Sequence, residues 1–312
     1  MKRRAEILQK IKRIIEAEQH EPGPRALALC NTIRERHGNA IKAFLLYGSG
    51  LRDKNDPDKL LDVYVLIDRY TSVHGWGAKA VGSYLAPPSV HYVETVDPDG
   101  IPVRSKYSIV SLRAFHKRAS GGAFESMLWA RFAQPAIVIS DDAVIRENIL
   151  TTMSHAVLHF AAESIPLIPH GASSRDLWVR GLVESYRSEL RAEDPNARAA
   201  ELVDHYHDRY EALAAAIYNE TDADVFSLPA TSPGARNACR LRWAARRMIG
   251  KPLTAIRVLK AAFTFDGGLD YILYKLKSHS GVTIEVTNTQ RRHPIWFSPL
   301  LAWKLYRKGA FR

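Results

Sequence analysis

Phe44-Leu45-Leu46-Tyr47-Gly48-Ser49-Gly50-Leu51-Arg52-Asp53 and, after a polar loop, Leu60-Leu61-Asp62-Val63-Tyr64-Val65-Leu66-Ile67-Asp68 decide how the first half of this chain is read. An apolar run closes in a Gly-Ser-Gly turn, a charged loop follows, and a second apolar run opens with a carboxylate. Two strands of one sheet joined near a glycine elbow fit that pattern. On the second strand Asp62, Tyr64, Leu66 and Asp68 share one face, and Val63, Val65 and Ile67 share the other. Asp62 therefore falls beside the elbow. Asp68 lies about 20 Å further along by the strand rise, which suits a strand end or a helix cap.

Glycines allow backbone N–H groups to approach a triphosphate closely, and an aspartate on the next strand can hold the Mg²⁺ that bridges phosphate oxygens. The motif thus points to nucleotidyl transfer, with Tyr47, Gly48, Ser49 and Gly50 at the nucleotide and Asp62 at the metal. Sites of this class usually carry a second carboxylate two residues on, where this chain has Tyr64. Asp53, Asp56, Asp58 and Glu94 are the candidates to complete the shell.

Two further clusters are candidates for charge neutralisation. Arg104-Ser105-Lys106-Tyr107 sits on a strand after the turn Asp97-Pro98-Asp99-Gly100, where a basic residue is either a solvated edge charge or, beside a triphosphate, a point cation. Leu128-Trp129-Ala130-Arg131-Phe132-Ala133-Gln134-Pro135 ends a helix before the short apolar run Ala136 to Ile139. Trp129 and Phe132 read as core, and Arg131 as a helix C-cap or a phosphate ligand.

Around these motifs the spacing predicts helices over 1–19, 24–36 and near 75–85, and strands over 41–46, 61–67, 91–96, 101–110 and 136–139. From Asp142 onward apolar residues fall at three- and four-residue intervals, so the second half reads as all-helical with a loop over 221–234. The expected class is α+β: a mixed-sheet nucleotidyltransferase domain over 1–140, a helical domain over 141–290 and a basic, aromatic C-terminal segment over 291–312.

Lys and Arg number 44 against 33 Asp and Glu, a net +11, so the chain favours anionic partners: nucleotides, nucleic acid or acidic headgroups. Cys30 and Cys239 are too few for a disulfide framework and suit a reducing compartment. Neither a signal-peptide core nor an 18-residue apolar run is present, so a cytoplasmic protein, peripheral on the inner face of the membrane, is expected. The membrane-contact candidates are Trp296, Phe297, Trp303, Lys304, Arg307 and Lys308, whose aromatic and basic side chains suit the headgroup layer. The run Lys251 to Lys277, with Arg257 and Lys260, is a second candidate for anionic lipid.

Together, Tyr47-Gly48-Ser49-Gly50, Leu61-Asp62-Val63-Tyr64, Val103 to Ser111 and Arg131-Phe132-Ala133-Gln134-Pro135 resemble the mitochondrial translocator assembly and maintenance family. That family comprises peripheral CDP-diacylglycerol synthases with a Tyr-Gly-Ser-Gly turn, an Asp strand, a Lys-Tyr-Gly-Val strand and a Gly-Arg-Leu-x-Lys-Pro element. Its Asp strand also has an apolar residue at the second position. A looser likeness continues through Ser185-Tyr186-Arg187-Ser188-Glu189-Leu190-Arg191 and Leu259 to Thr264. Ser108, Ala130 and Gln134 depart from the family's glycine, glycine and lysine.

The resemblance implies a CTP:phosphatidate cytidylyltransferase with Asp62, Lys106 and Arg131 as catalytic residues, Mg²⁺ as cofactor, and CTP, phosphatidic acid and an anionic membrane surface as partners. No nucleic-acid partner is expected, since the aromatics cluster with leucines at the C-terminus instead of alternating with basic residues along a groove. The rival expectations are transfer to RNA, a protein or a small molecule, and a non-catalytic nucleotide- or lipid-binding relative.

Overall fold

The computed structural model describes residues 2–52, 60–75, 88–189, 193–218, 231–264, 285–292, 303 and 307. The first half contains helices α1 (Lys2–Ala17) and α2 (Pro24–His37), strand β1 (Ile41–Tyr47), the short helix α3 (Ser49–Arg52), β2 (Leu61–Ile67), α4 (Thr71–His74), β3 (Ser89–Val96), β4 (Pro102–Ser111), α5 (Leu112–Lys117), α6 (Met127–Phe132) and β5 (Ala136–Ile139). Helices α7 (Ala143–Ser164), α8 (Ser174–Arg187), α9 (Pro195–His205), α10 (His207–Tyr218), α11 (Pro233–Thr264) and α12 (Asn288–Arg292) follow. The class is α+β, as the patterning implies. The helix expected near 75–85 lies outside the described residues beyond Gly75.

The five strands form one mixed sheet in the order β3-β4-β2-β1-β5. Only β2 and β4 run parallel; the other neighbours are antiparallel. The hydroxyl of Ser105 donates to the Leu61 carbonyl at 2.8 Å and joins β4 to the start of β2. Register along the β1/β2 pair places Tyr47 opposite Asp62, and along the β2/β4 pair Asp62 opposite Lys106. The sequence alternation is what aligns these three on one face.

Both faces of the sheet are covered. Val63, Val65 and Ile67 pack with Leu29, Cys30 and Ile33 of α2 in one apolar cluster. Tyr64 and Leu66 point the other way, into a larger cluster that takes in Phe132, Met153, Phe160 and Trp178 from the helices. That second cluster runs unbroken from the sheet into the helical half, so the sheet face carrying Asp62 is roofed by helices. Burial also silences the cysteines: Cys30 is enclosed, its thiol pushed up to about 12 by desolvation.

Helix α7 starts where Asp142 accepts hydrogen bonds from the Val144 and Ile145 amides, and α8 starts with a capping box between Ser173 and Asp176. The two helices cross closely at Gly181. A Cβ there would lie 2.1 Å from Ser164 Oγ and 2.6 Å from the Phe160 ring. Gly181→Ala should therefore destabilise the fold by about 1–3 kcal/mol despite alanine's better helix propensity. Urea unfolding measures this directly, and an unchanged or higher midpoint would show that the crossing relaxes freely.

Candidate active site

The elbow after β1 requires its glycines. Gly48 has φ +79°, which side-chain-bearing residues rarely adopt, and a Cβ on it would meet Asp62 Oδ2 at 3.0 Å. At Gly50 a Cβ would come within 2.7 Å of the Leu61 side chain. The Leu51 amide closes the turn on the Gly48 carbonyl at 3.3 Å. Two backbone constraints thus hold the elbow against the first residues of β2, with the Asp62 carboxylate directed at it.

Asp62 has one neighbour on each side in the sheet. Tyr47 flanks it on β1 and Lys106 on β4, while Tyr92 of β3 lies opposite Lys106. The fourth member comes from the roof: the Arg131 guanidinium stacks over the Tyr47 ring with Cζ 5.0 Å from its centroid. Asp62, Lys106, Arg131 and the elbow therefore converge at one end of the sheet, although they come from four separate stretches of sequence.

Arg131 keeps 20 % of its side chain exposed, and one of its terminal nitrogens lies 3.6 Å from Glu189. Burial works against its charge and is outweighed by Tyr47 and Glu189, so the guanidinium titrates above its ordinary value. Its Nε is enclosed with no hydrogen-bond acceptor among the described residues. Tyr47 shifts in the same direction for different reasons. Burial, and then the Asp62 carboxylate, push its phenol well above the usual range, so it stays neutral.

Beside the elbow a solvent-open cleft is lined by Tyr47, Gly50, Leu51, Leu61 and Asp62 on one wall, and by His20, Pro22, Gly23 and Arg25 on the other. The second wall is the link from α1 to α2, ending at the N-terminus of α2, where Gly23 provides no side-chain cap. His20 and Arg25 thus line the same cleft as the Asp62 carboxylate. In the sequence, Glu21-Pro22-Gly23-Pro24 reads only as a helix stop. The pairing of this stop with an elbow 25 residues later is a tertiary fact.

Among the remaining candidates, Glu94 pairs with Arg104 at 3.1 Å, so Arg104 is a paired charge on β4. Asp53, Asp56 and Asp58 lie outside the described residues. Asp68 accepts from the Arg69 amide at the strand end, as expected. Among the described residues no group of three or more His, Cys, Asp or Glu side chains gathers to hold a metal. Asp62 nevertheless fits Mg²⁺, which takes one or two carboxylates and completes its shell with phosphate oxygens and water.

Glu189 lies in the loosely matching segment Ser185 to Arg191, and Glu125, close to it, is a neighbour that the motifs do not announce. Glu189 follows the segment Ser185-Tyr186, whose Tyr186 hydroxyl donates to the Gln134 amide oxygen at 3.4 Å. Gln134, standing where the resembled family has lysine, is thereby a link between α8 and the Arg131 segment. Glu125 binds Arg257 at 2.7 Å, and Arg257 is buried, which corrects its expected place facing lipid.

The proposed membrane residues Trp296, Phe297, Lys304 and Lys308 lie outside the described residues, as does the side chain of Lys260. Trp303 and Arg307 are helical and exposed. No helix among the described residues is long and apolar enough to cross a membrane. No known family model matches the chain, and no curated protein is significantly similar to it.

Proposed function

We propose that the chain transfers a cytidylyl group from CTP to phosphatidic acid at a membrane surface, as the family it resembles does. The observation that carries this reading is the convergence of Tyr47, Asp62, Lys106 and Arg131 at one end of the sheet beside the Gly48 elbow. An elbow that admits phosphates, one carboxylate directed at it and two cations flanking that carboxylate make up the charge pattern of nucleotidyl transfer.

A phosphate oxygen of phosphatidic acid attacks the α-phosphorus of CTP, the bridge to the β-phosphate breaks, and CDP-diacylglycerol and pyrophosphate leave. The nucleophile is already an anion, so no general base is needed. The work of the protein is positioning and charge neutralisation. Backbone without side chains at Gly48 and Gly50 would let phosphate oxygens come near its N–H groups. Asp62 would hold Mg²⁺, which when bound withdraws charge from the triphosphate. Lys106 acts as a point cation, and Arg131, oriented by Tyr47 and Glu189, offers its remaining donors to phosphate oxygens.

The test is turnover. Purified chain with CTP, Mg²⁺ and phosphatidate dispersed in detergent should release pyrophosphate only when phosphatidate is present. Release that requires RNA instead would transfer the reading to an RNA-directed enzyme, and the absence of release with any acceptor would leave a binding protein.

A further inference from the structure

Helix α11 is built inside out. Over Pro233–Thr264 it carries eight Lys and Arg and no Asp or Glu. Cys239, Trp243, Arg246, Gly250 and Arg257 follow one another at intervals of four, three, four and seven, so they share one side, and all five are buried. On that side the cations are consumed by the fold. Arg246 meets Glu163 at 2.6 Å and stacks over the Trp243 ring at 4.7 Å, and Arg257 meets Glu125. Arg242 reaches Glu163 at 3.4 Å from the flank, and Arg247 pairs with Glu184.

The opposite side is apolar where an ordinary surface helix would be polar. Leu241 is 72 % exposed and Met248 77 %, the two most exposed large apolar side chains among the described residues, and Ile249 adds 51 %. Leu241, Met248 and the exposed Pro252 fall on one line about 16 Å long at the helical rise per residue. Arg240 and Lys251, both exposed, flank this line on one side. The inward cations have carboxylate partners, whereas the outward ones border an apolar stripe on a helix that has no acid of its own.

We propose that this outer face of α11 is the surface by which the protein docks on a bilayer carrying anionic headgroups. An apolar stripe with cations beside it and a net charge of +11 behind it matches an interface that is apolar below and negative at its surface. The helix is also tied to the site. Its backbone at Gly250 passes so close to Ser188 that a Cβ would lie 2.3 Å from the Ser188 carbonyl oxygen, one residue from Glu189. Docking through α11 therefore anchors the same segments that hold Arg131. The inference rests on the transferase reading for the identity of the membrane-borne acceptor.

The experiment is vesicle co-sedimentation without nucleotide, comparing phosphatidylcholine vesicles with vesicles that also contain phosphatidylglycerol. The full chain should bind the anionic vesicles. The triple variant Leu241→Asn, Met248→Asn, Ile249→Asn should lose about tenfold or more of that binding, and Arg240→Gln with Lys251→Gln should lower it and flatten its salt dependence. None of these residues lies in the catalytic machinery, so turnover on detergent-dispersed phosphatidate should persist in both variants, which separates a failure of docking from a failure of the transferase reading. A Met248→Cys variant carrying a polarity-sensitive maleimide provides a second readout, since Cys30 and Cys239 are buried. Its emission should shift to the blue on anionic vesicles. Undiminished binding by the triple variant, or an unshifted probe, overturns the proposal. So does a change of the free protein from dimer to monomer in the triple variant, which would make the stripe an interface between copies.

Discussion

Asp62→Asn should lower phosphatidate-dependent pyrophosphate release by about 10³-fold or more while leaving the unfolding midpoint where it was. The substitution preserves shape at a half-buried strand position, removes the charge and exchanges one acceptor oxygen for an amide donor. A metal withdrawing charge from a triphosphate provides several kcal/mol of transition-state stabilisation, and about 4 kcal/mol corresponds to three decades of rate. The same variant should need far more Mg²⁺ for its residual activity, because Asp62 is the carboxylate that would hold the ion. Rates within tenfold of the parent, at unchanged Mg²⁺ dependence, would take the carboxylate out of the reaction. Its position would then have only the structural meaning of filling the space beside Gly48.

The two-residue alternation along Leu61–Ile67 is the reason so much of the site is legible in the chain itself. Burial on both sheet faces makes register costly to shift, since a slip by one residue would exchange Asp62 with Val63 between the two apolar clusters. Strands over 61–67 and 136–139 stand where the patterning puts them, and the others differ by one or two residues at their ends. The elbow is equally plain, because two glycines around a serine between apolar runs mark a sharp backbone reversal, and Gly48 takes the positive φ that such a reversal needs.

What the sequence concealed depends on long-range pairing. His20 and Arg25 reach the cleft because the α1–α2 link lies across the elbow, and no local spacing encodes that. Arg257 sits among the basic residues of a helix, where it reads as a surface cation, yet Glu125, 132 positions earlier, draws it inward. For α11, helical periodicity identifies a stripe of Leu241 and Met248 but not which side of the helix meets the core. Trp243 and the arginine–glutamate pairs decide that, and they turn the cationic side inward.

Arg131→Lys is the sharper test of how the two halves cooperate. Lysine retains the charge but lacks the planar fork that stacks on Tyr47 and reaches Glu189, so it cannot hold the geometry from which Arg131 faces the site. Loss of one preorganised charge-stabilising donor typically costs about 10²–10³ in kcat, and an effect of that size is expected here. The guanidinium could instead be a strut joining α6 to Glu189, and the two roles predict different observables. A strut, when removed, lowers the unfolding midpoint and leaves kcat at saturating CTP unchanged. A phosphate ligand lowers kcat with a smaller effect on the midpoint, because the contact that is lost is to the substrate. Glu189→Gln completes the comparison by loosening Arg131 without removing it, and should cost less in kcat than Arg131→Lys. If Arg131→Lys turned over at the parent rate with only a lowered midpoint, the arginine would belong to the architecture alone, and charge neutralisation at the site would fall to Lys106.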